Sequence, residues 1–277
     1  MARLDSVRER LSLSEPELET LRRASSGEPV DDDARRALVD AGLLTADGAL
    51  APLVADLVTV ATGPMLECLV EAFGPQGPTL ARVVVREETV WHTDPWPQDD
   101  PDGAVVHHRD ELPQILWILA RLVGLRRAQV PAAAQDFTVP LSAVDAVIQT
   151  MALGEDQWEP ARTVATARFE EFFAQVGDPD RTMLMATLSY LESAVRLTVA
   201  WGPAETDARG IALWNCGPGG WWQRTDPAEP IRPGTVTPET TATFVPVSAG
   251  DVWTALAALL PSSAELRAVL DREATPS

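Results

Sequence analysis

The chain has no lysine, so all 22 of its basic residues are arginines, and it contains a single tyrosine. This bias is typical of GC-rich coding, and we do not take it as a functional signal. Acidic residues outnumber basic ones, 41 to 22, and the formal charge of the 277 residues is −19. A field of that sign repels phosphate backbones and anionic lipid surfaces. We therefore expect no nucleic-acid partner and no membrane insertion.

Long apolar runs are also missing. Arg3, Asp5 and Arg8 interrupt the start of the chain, which argues against a signal peptide. The most apolar stretch, residues 112–125, contains Arg121 and is too short to cross a bilayer. Both observations predict a cytoplasmic protein. With 45% hydrophobic residues, the chain can still bury the core of one or two domains.

Residues that usually carry catalysis or bind metals are scarce. Cys68 and Cys216 show no Cys-x-x-Cys spacing, so we expect reduced, structural thiols. Of the three histidines, His92, His107 and His108, the last two are neighbours on a predicted strand and point to opposite faces. The sequence has no Gly-x-Ser-x-Gly elbow and no lysine-containing phosphate loop. We therefore predict no enzyme activity, no metal and no organic cofactor.

An acidic loop at residues 99–103 leaves one alternative open, a calcium site. Its Asp-Asp-Pro-Asp-Gly sequence offers oxygen ligands, but it lacks the alternating ligand spacing and the final glutamate of a calcium loop. The sequence therefore predicts a solvated turn, with calcium as the lesser alternative.

Two long segments, residues 66–123 and 194–260, follow the same order. Each begins with an extended run that ends in aromatic-Gly-Pro, at residues 73–75 and 201–203. Each continues through a strand that opens on Trp and closes on Thr-Asp-Pro, and each ends in an apolar helix. Short β-rich runs joined by tight polar turns indicate antiparallel hairpins. The pattern predicts an α+β fold, a pseudo-twofold duplicated antiparallel β-meander with flanking helical bundles.

The register of this repeat conflicts with its burial pattern in the first strand. Aligning the two Gly-Pro turns places Val195, Leu197 and Val199, which share one strand face, against Glu67, Leu69 and Glu71. A slip of one residue would restore an apolar face in both copies, so either a bulge or a shifted register is expected here.

The rest of the chain reads as helices around these strands. The first 62 residues are predicted to be helical, with a capping box at Ser14 and Glu17, and a second box spacing occurs at Ser248 and Asp251. We predict an N-terminal half at residues 1–125, a Pro- and Ala-containing linker at 126–140, and a C-terminal half at 141–277. The two halves are expected to form one domain.

Six of the nine tryptophans lie in or beside the repeated strands and helices, namely Trp91, Trp201, Trp214, Trp221, Trp222 and Trp253. Trp221 and Trp222 are adjacent on one predicted strand, so they must face opposite sides of the sheet. Either helices cover both faces, or one face is a binding surface on which exposed aromatic residues anchor a partner.

One pattern extends through the first half of the chain, in the run Arg35 to Leu44 with Ala46-Asp47-Gly48, in Leu53 to Val60, in the predicted strands Ala81 to Val85 and Thr89 to Trp91, and in Asp110 to Leu122. It resembles the N-terminal half of EspG-type proteins, the cytosolic chaperones of type VII (ESX) secretion. Residues 210–214, Gly219 to Trp222 and Phe244 to Val247 are similar to the end of that family. The family's usual hairpin motif is replaced here by Asn-Cys-Gly-Pro-Gly-Gly at 215–220.

This resemblance implies a chaperone that binds the tip of a secreted helical-hairpin heterodimer of the PE/PPE kind and keeps its apolar end in solution. Together with the aromatic residues, it predicts client docking on the second-half sheet near Trp214 and Trp222, with Phe173 on the preceding helix. Two alternatives stay open: an acidic immunity or inhibitor protein with carboxylates focused on one concave patch, and a winged-helix regulator, which the absence of a basic recognition face disfavours.

Overall fold

The structure, a computed structural model, describes residues 2–98, 100, 103–151, 176–202, 207–232 and 234–273. It confirms the predicted α+β class, because one large antiparallel sheet carries helices on both faces. The strands of these residues are β1 (Arg3–Asp5), β2 (Arg10–Leu13), β3 (Leu66–Gly74), β4 (Gly77–Arg86), β5 (Thr89–Thr93), β6 (Trp96–Pro97), β7 (Val105–Glu111), β8 (Phe137–Pro140), β9 (Ser193–Trp201), β10 (Asp207–Asn215), β11 (Trp221–Asp226) and β12 (Thr241–Val247).

The sheet joins the two predicted meanders edge to edge. Its order is β1-β2-β7-β5-β4-β3-β9-β10-β11-β12-β8, and the short β6 pairs with β4. The first meander is β3, β4, β5 and β7, and the second is β9 to β12, in the same order outward from the centre. Neighbouring strands are antiparallel throughout. The two halves therefore share one continuous sheet through the pairing of β3 with β9.

Helices cover both faces of this sheet. They are α1 (Glu15–Ser25), α2 (Asp32–Asp40), α3 (Pro52–Thr62), α4 (Ile115–Leu122), α5 (Leu141–Met151), α6 (Asp180–Leu188), α7 (Ala249–Leu259) and α8 (Ser263–Glu273). One face is covered by α1 to α3 over the first meander and by α5 and α6 over the second. The other face is covered by α4 and α7, whose buried side chains form one cluster with both meanders. Burial on two faces explains how the adjacent Trp221 and Trp222, which face opposite sides of the sheet, are both buried.

The duplication extends further than the sequence predicted. The sequence predicts helix at residues 10–13 and a linker at 126–140, and the structure has an edge strand in each. Leu11 and Leu13 of β2 are buried against the first meander, as Phe137 and Val139 of β8 are against the second. Each strand has only four residues and pairs with a strand about a hundred residues away. No local signal in the sequence reports such a pairing.

The register conflict in the first strand of the repeat is resolved by a shift of one residue. Val70 lies opposite Leu197, and Cys68 lies opposite Val199, with an unbroken ladder between β3 and β9. These four residues belong to one buried cluster. In the shifted register the apolar faces of the two strands match, whereas the two Gly-Pro turns are one residue out of alignment. When this shifted register is extended to the outer strands, Trp222 of β11 corresponds to Trp91 of β5 in the repeat, and Trp221 does not.

Both predicted capping boxes are confirmed. Ser14 and Glu17 exchange side-chain and backbone hydrogen bonds at the start of α1, and Ser248 and Asp251 do so at the start of α7. Each cap satisfies backbone N–H groups that the helix leaves unpaired and contributes about 1 kcal/mol.

Some predictions fall on residues that lie outside the described ranges. They are Phe173, most of the predicted helix at 160–176, and Asp99 and Asp102 of the acidic loop. Within the described part of the chain, no helix is both long and apolar enough to cross a membrane.

Candidate functional site

The structure brings Trp214 and Trp222 together inside an aromatic cluster. They lie opposite each other on β10 and β11, and each side chain is only 3% exposed. The Trp214 ring centroid is 4.2 Å from that of Phe244, and the Trp222 centroid is 5.2 Å from that of Phe137. The Trp222 indole N–H also donates to the carbonyl of Gly219 at 3.2 Å. In the free chain both tryptophans are therefore core residues, and a client contact through them stays a prediction.

Helices cover both sides of this part of the sheet. Of the two alternatives for the adjacent Trp221 and Trp222, helices on both faces or an open binding face, the structure shows the first. Trp222 shares its apolar cluster with Val144 of α5 and Leu184 of α6. Trp221 faces the other way, into the cluster of α4 and α7, and its indole N–H donates to the carbonyl of Arg126 at 3.2 Å. Neither indole faces solvent.

The second half does expose apolar side chains at the end of α6. Met185 is 49% exposed and Tyr190 is 55% exposed, whereas Leu184, next to Met185 in the chain, is buried in the tryptophan cluster. The β-carbon of Tyr190 would lie 3.1 Å from a β-carbon added at Gly219, so the tyrosine packs closely on the β10–β11 hairpin. We call Met185, Tyr190 and hairpin residues 216–220 the α6 surface. The sequence signal for it was the run Met-Leu-Met, in which a helix can bury only part of the apolar set.

A group of buried charges holds the loop after β11 against the sheet. Glu229 pairs with Arg224, and both side chains are 3% exposed. Arg196 of β9 lies 3.2 Å from Glu229 and 3.6 Å from Glu71 of the first meander. Burial lowers the pKa of Arg224, while the neighbouring Glu229 opposes that shift. These contacts satisfy the buried charges and tie the loop to both halves, which indicates a structural role.

The three histidines lie together on β5 and β7. His92 stacks on His108 with centroids 4.9 Å apart, while His107 points to the other face, as strand parity predicted. Arg121 of α4 donates to Nδ1 of His92 at 3.2 Å, so Nε2 carries the proton and donates to Asp110 at 2.9 Å. Burial lowers the pKa of His92, which keeps the ring neutral. Among the described residues no cluster of His, Cys, Asp and Glu could hold a metal ion.

A further exposed aromatic residue was not among the predicted site residues. Trp117 of α4 is 65% exposed and meets the ring of Trp253 of α7 edge to face at 4.6 Å. The signal for it was available, because α4 is apolar nearly all round and a helix on a sheet surface must leave one face outward.

Comparison with known proteins places the fold. No protein-family description and no curated protein match the chain. Among solved structures, the chain is similar to the Mycobacterium tuberculosis type VII secretion system chaperone EspG5, which was solved in complex with the PE25-PPE41 dimer. The TM-score is 0.54 at 12% sequence identity, over 91% of this chain and 97% of that chain. At this identity the similarity shows an EspG-like fold, and function has to be argued separately.

Proposed function

We propose that this protein is a chaperone of a type VII (ESX) secretion system that binds a secreted helical-hairpin heterodimer of the PE/PPE kind in the cytoplasm. The observation that carries the proposal is the EspG-like fold over nearly the whole chain, because the similar structure was solved with a PE-PPE dimer bound. Such a client needs a partner for its apolar end until export.

The contact surface that we propose is the α6 surface. It presents two exposed apolar side chains, Met185 and Tyr190, and both belong to the half in which the sequence predicted docking. Trp214 and Trp222 then contribute indirectly, because they pack beneath α6 and the β10–β11 hairpin and hold both in position. Large aromatic residues that are partly exposed and firmly backed are the usual anchors of protein interfaces.

Charge favours an apolar client tip over a charged one at this place. The residues that define the α6 surface, Met185, Tyr190 and hairpin residues 216–220, carry no formal charge in a chain of net charge −19, although the carboxylate of Glu192 lies against Gly217. Desolvating such a surface costs less than desolvating charged side chains, so its burial against an apolar helix end is favourable.

The test is co-expression of the tagged chain with the genes that neighbour its own gene, followed by pull-down and gel filtration. We expect a stable complex with one helical heterodimer. Tyr190→Ala should weaken its binding about tenfold. Val7→Ala, at a site that is 92% exposed and lies in the other half, is the matched control and should bind like the wild type.

Two outcomes would contradict the proposal at different levels. If no helical heterodimer co-purifies with the chain, the chaperone function is wrong. If a complex forms and Tyr190→Ala binds as tightly as Val7→Ala, the function stands and the client docks elsewhere.

A further inference from the structure

Three exposed arginines follow one another at the end of α4 and just after it. They are Arg121 of α4, on the face of the sheet opposite α6, and Arg126 and Arg127, which lie beside the β10–β11 hairpin. Within the described residues, none of the three forms an ion pair with a carboxylate, although the chain has 41 acidic residues to 22 arginines. Arg121 also donates to Nδ1 of His92, whereas Arg126 and Arg127 are sequence neighbours on the rim of one cavity. Adjacent guanidinium groups in an acidic protein form a local site of opposite charge to the rest of the surface.

Arg126 and Arg127 border a cavity whose walls are held in place by hydrogen bonding and close packing. A cavity of about 320 Å³ lies between residues 126–129 and the β10–β11 hairpin, with Trp221 at its edge. The segment is fixed from two sides, because Trp221 donates to the carbonyl of Arg126 and Gly220 approaches the carbonyl of Gln129 closely. A β-carbon added at Gly220 would lie 3.0 Å from that oxygen. Only one carboxylate, Glu192, lines the cavity.

An aromatic anchor lies next to the arginines. Trp117 stands one helical turn before Arg121, so the two side chains project from the same face of α4. The edge contact with Trp253 holds the Trp117 ring while 65% of it stays exposed. An ordered, exposed tryptophan beside guanidinium groups can bury an apolar side chain and pair with carboxylates in one contact.

We infer that Trp117, Arg121, Arg126 and Arg127, the arginine ridge, form a docking surface for an acidic segment of a protein partner. An apolar side chain of that segment packs on Trp117, and its carboxylates accept paired hydrogen bonds from the guanidinium groups. A protein segment fits better than a nucleic acid, because the net charge of −19 repels a phosphate backbone along its whole length. Trp117 and Arg121 belong to α4, on the face of the sheet opposite α6, whereas Arg126 and Arg127 lie beside hairpin residues Gly217 and Pro218. The inference concerns a second partner and therefore goes beyond the proposed function.

The test uses a fluorescein-labelled peptide of four Glu-Glu-Leu repeats and measures its binding to the full chain by fluorescence anisotropy. Physiological salt is chosen because the Debye length is then about 8 Å, which screens the distant acidic surface. We expect saturable binding that weakens at least about tenfold in the double variant Arg126→Glu/Arg127→Glu and about fivefold in Trp117→Ala. A peptide of four Lys-Lys-Leu repeats should not bind at this surface.

The matched control is the double variant Arg3→Glu/Arg10→Glu, which changes the net charge equally at exposed arginines in the N-terminal strands. It should bind the acidic peptide like the wild type. Circular dichroism verifies that each variant is folded. Equal binding by the Arg126/Arg127 variant and the wild type, an equal loss in the control, or no binding by the wild type would each overturn the inference.

Two further outcomes would show that the arginine ridge binds something other than an acidic protein segment, and each would overturn the inference. One is tighter binding of a single-stranded oligonucleotide than of the acidic peptide. The other is a dimer in sedimentation velocity that Trp117→Ala dissociates, because the ridge would then be covered by a second copy of the chain.

Discussion

Val70 of β3 and Leu197 of β9 lie directly opposite each other where the two meanders meet, and both side chains are buried. Val70 pairs on its other side with Ala81 of β4, as Leu197 pairs with Ile211 of β10. Each is thus the counterpart of the other in the repeat. The pair marks the pseudo-twofold axis, and the core around it belongs equally to both halves.

Leu197→Ala should destabilise the whole chain. The side chain is fully buried, and its removal leaves a cavity at the junction of the two meanders. We expect the free energy of unfolding to fall by about 2–5 kcal/mol in a single cooperative urea transition. Two separate transitions, or a loss below about 0.5 kcal/mol, would show that the halves do not share this core.

Gly210→Ala should be destabilising because the β10 backbone touches the loop that carries Glu229. An added β-carbon would lie 2.6 Å from the β-carbon of Glu229 and 3.2 Å from the carbonyl of Leu197, so the loop must move. We expect a loss of about 1–3 kcal/mol in thermal or urea unfolding. Gly250→Ala in the first turn of α7 is the matched control, since its β-carbon would meet only Ser248 at 3.6 Å. A Gly210→Ala protein as stable as this control would contradict the contact.

Trp222→Ala should act on stability first. The indole is 3% exposed and packs on Phe137, so its loss is expected to cost about 3–5 kcal/mol of unfolding free energy. Denaturant unfolding measures this, with Tyr190→Ala as the exposed comparison that should stay within about 1 kcal/mol of the wild type. If Trp222→Ala unfolds like the wild type and binds the client more weakly, the indole contacts the client directly.

The free energy of unfolding should fall as the pH falls below about 6.5, the ordinary pKa of histidine. Burial lowers the pKa of His92 in the folded protein, and it lowers that of His107 to about 4. The unfolded chain therefore binds more protons than the folded chain between pH 6.5 and those lower values, and protonation favours unfolding there. Above pH 6.5 both rings are neutral in both states and contribute no slope.

The measurement is urea unfolding at a series of pH values for the wild type and for His107→Gln. Between pH 6.5 and 4, the free energy of unfolding should decline less steeply in the variant than in the wild type. The carboxylates titrate in both proteins, so their contribution cancels in the comparison. Parallel curves would mean that His107 titrates normally in the folded chain.

Both thiols should be unreactive in the folded protein. Burial raises the pKa of Cys68, and it raises that of Cys216 to about 12, so neither forms a thiolate at neutral pH. A chromogenic disulfide reagent at pH 8 should react with neither thiol in buffer and with both in denaturant. A fast reaction of one thiol in buffer would show that its strand or hairpin opens.

Much of the fold follows from local features of the chain. The strand alternation, the tight turns between strands and the capping boxes at Ser14 and Ser248 each act over a few residues, and the sequence displays them directly. The repeat adds the order of the elements, so the paired meanders and their apolar closing helices, α4 and α7, were predictable. The scarcity of histidine, cysteine and lysine likewise directed the interpretation toward binding.

The tertiary structure decided what pairs at long range and what is exposed. The edge strands β2 and β8 exist because β7 and β12 offer them partners about a hundred residues away. The indoles of Trp214 and Trp222 are core and that of Trp117 is surface, because burial depends on which helix lies over each strand face. Sequence periodicity assigns a side chain to a face of its own element. Only the packing of one element on another determines whether that face meets protein or water.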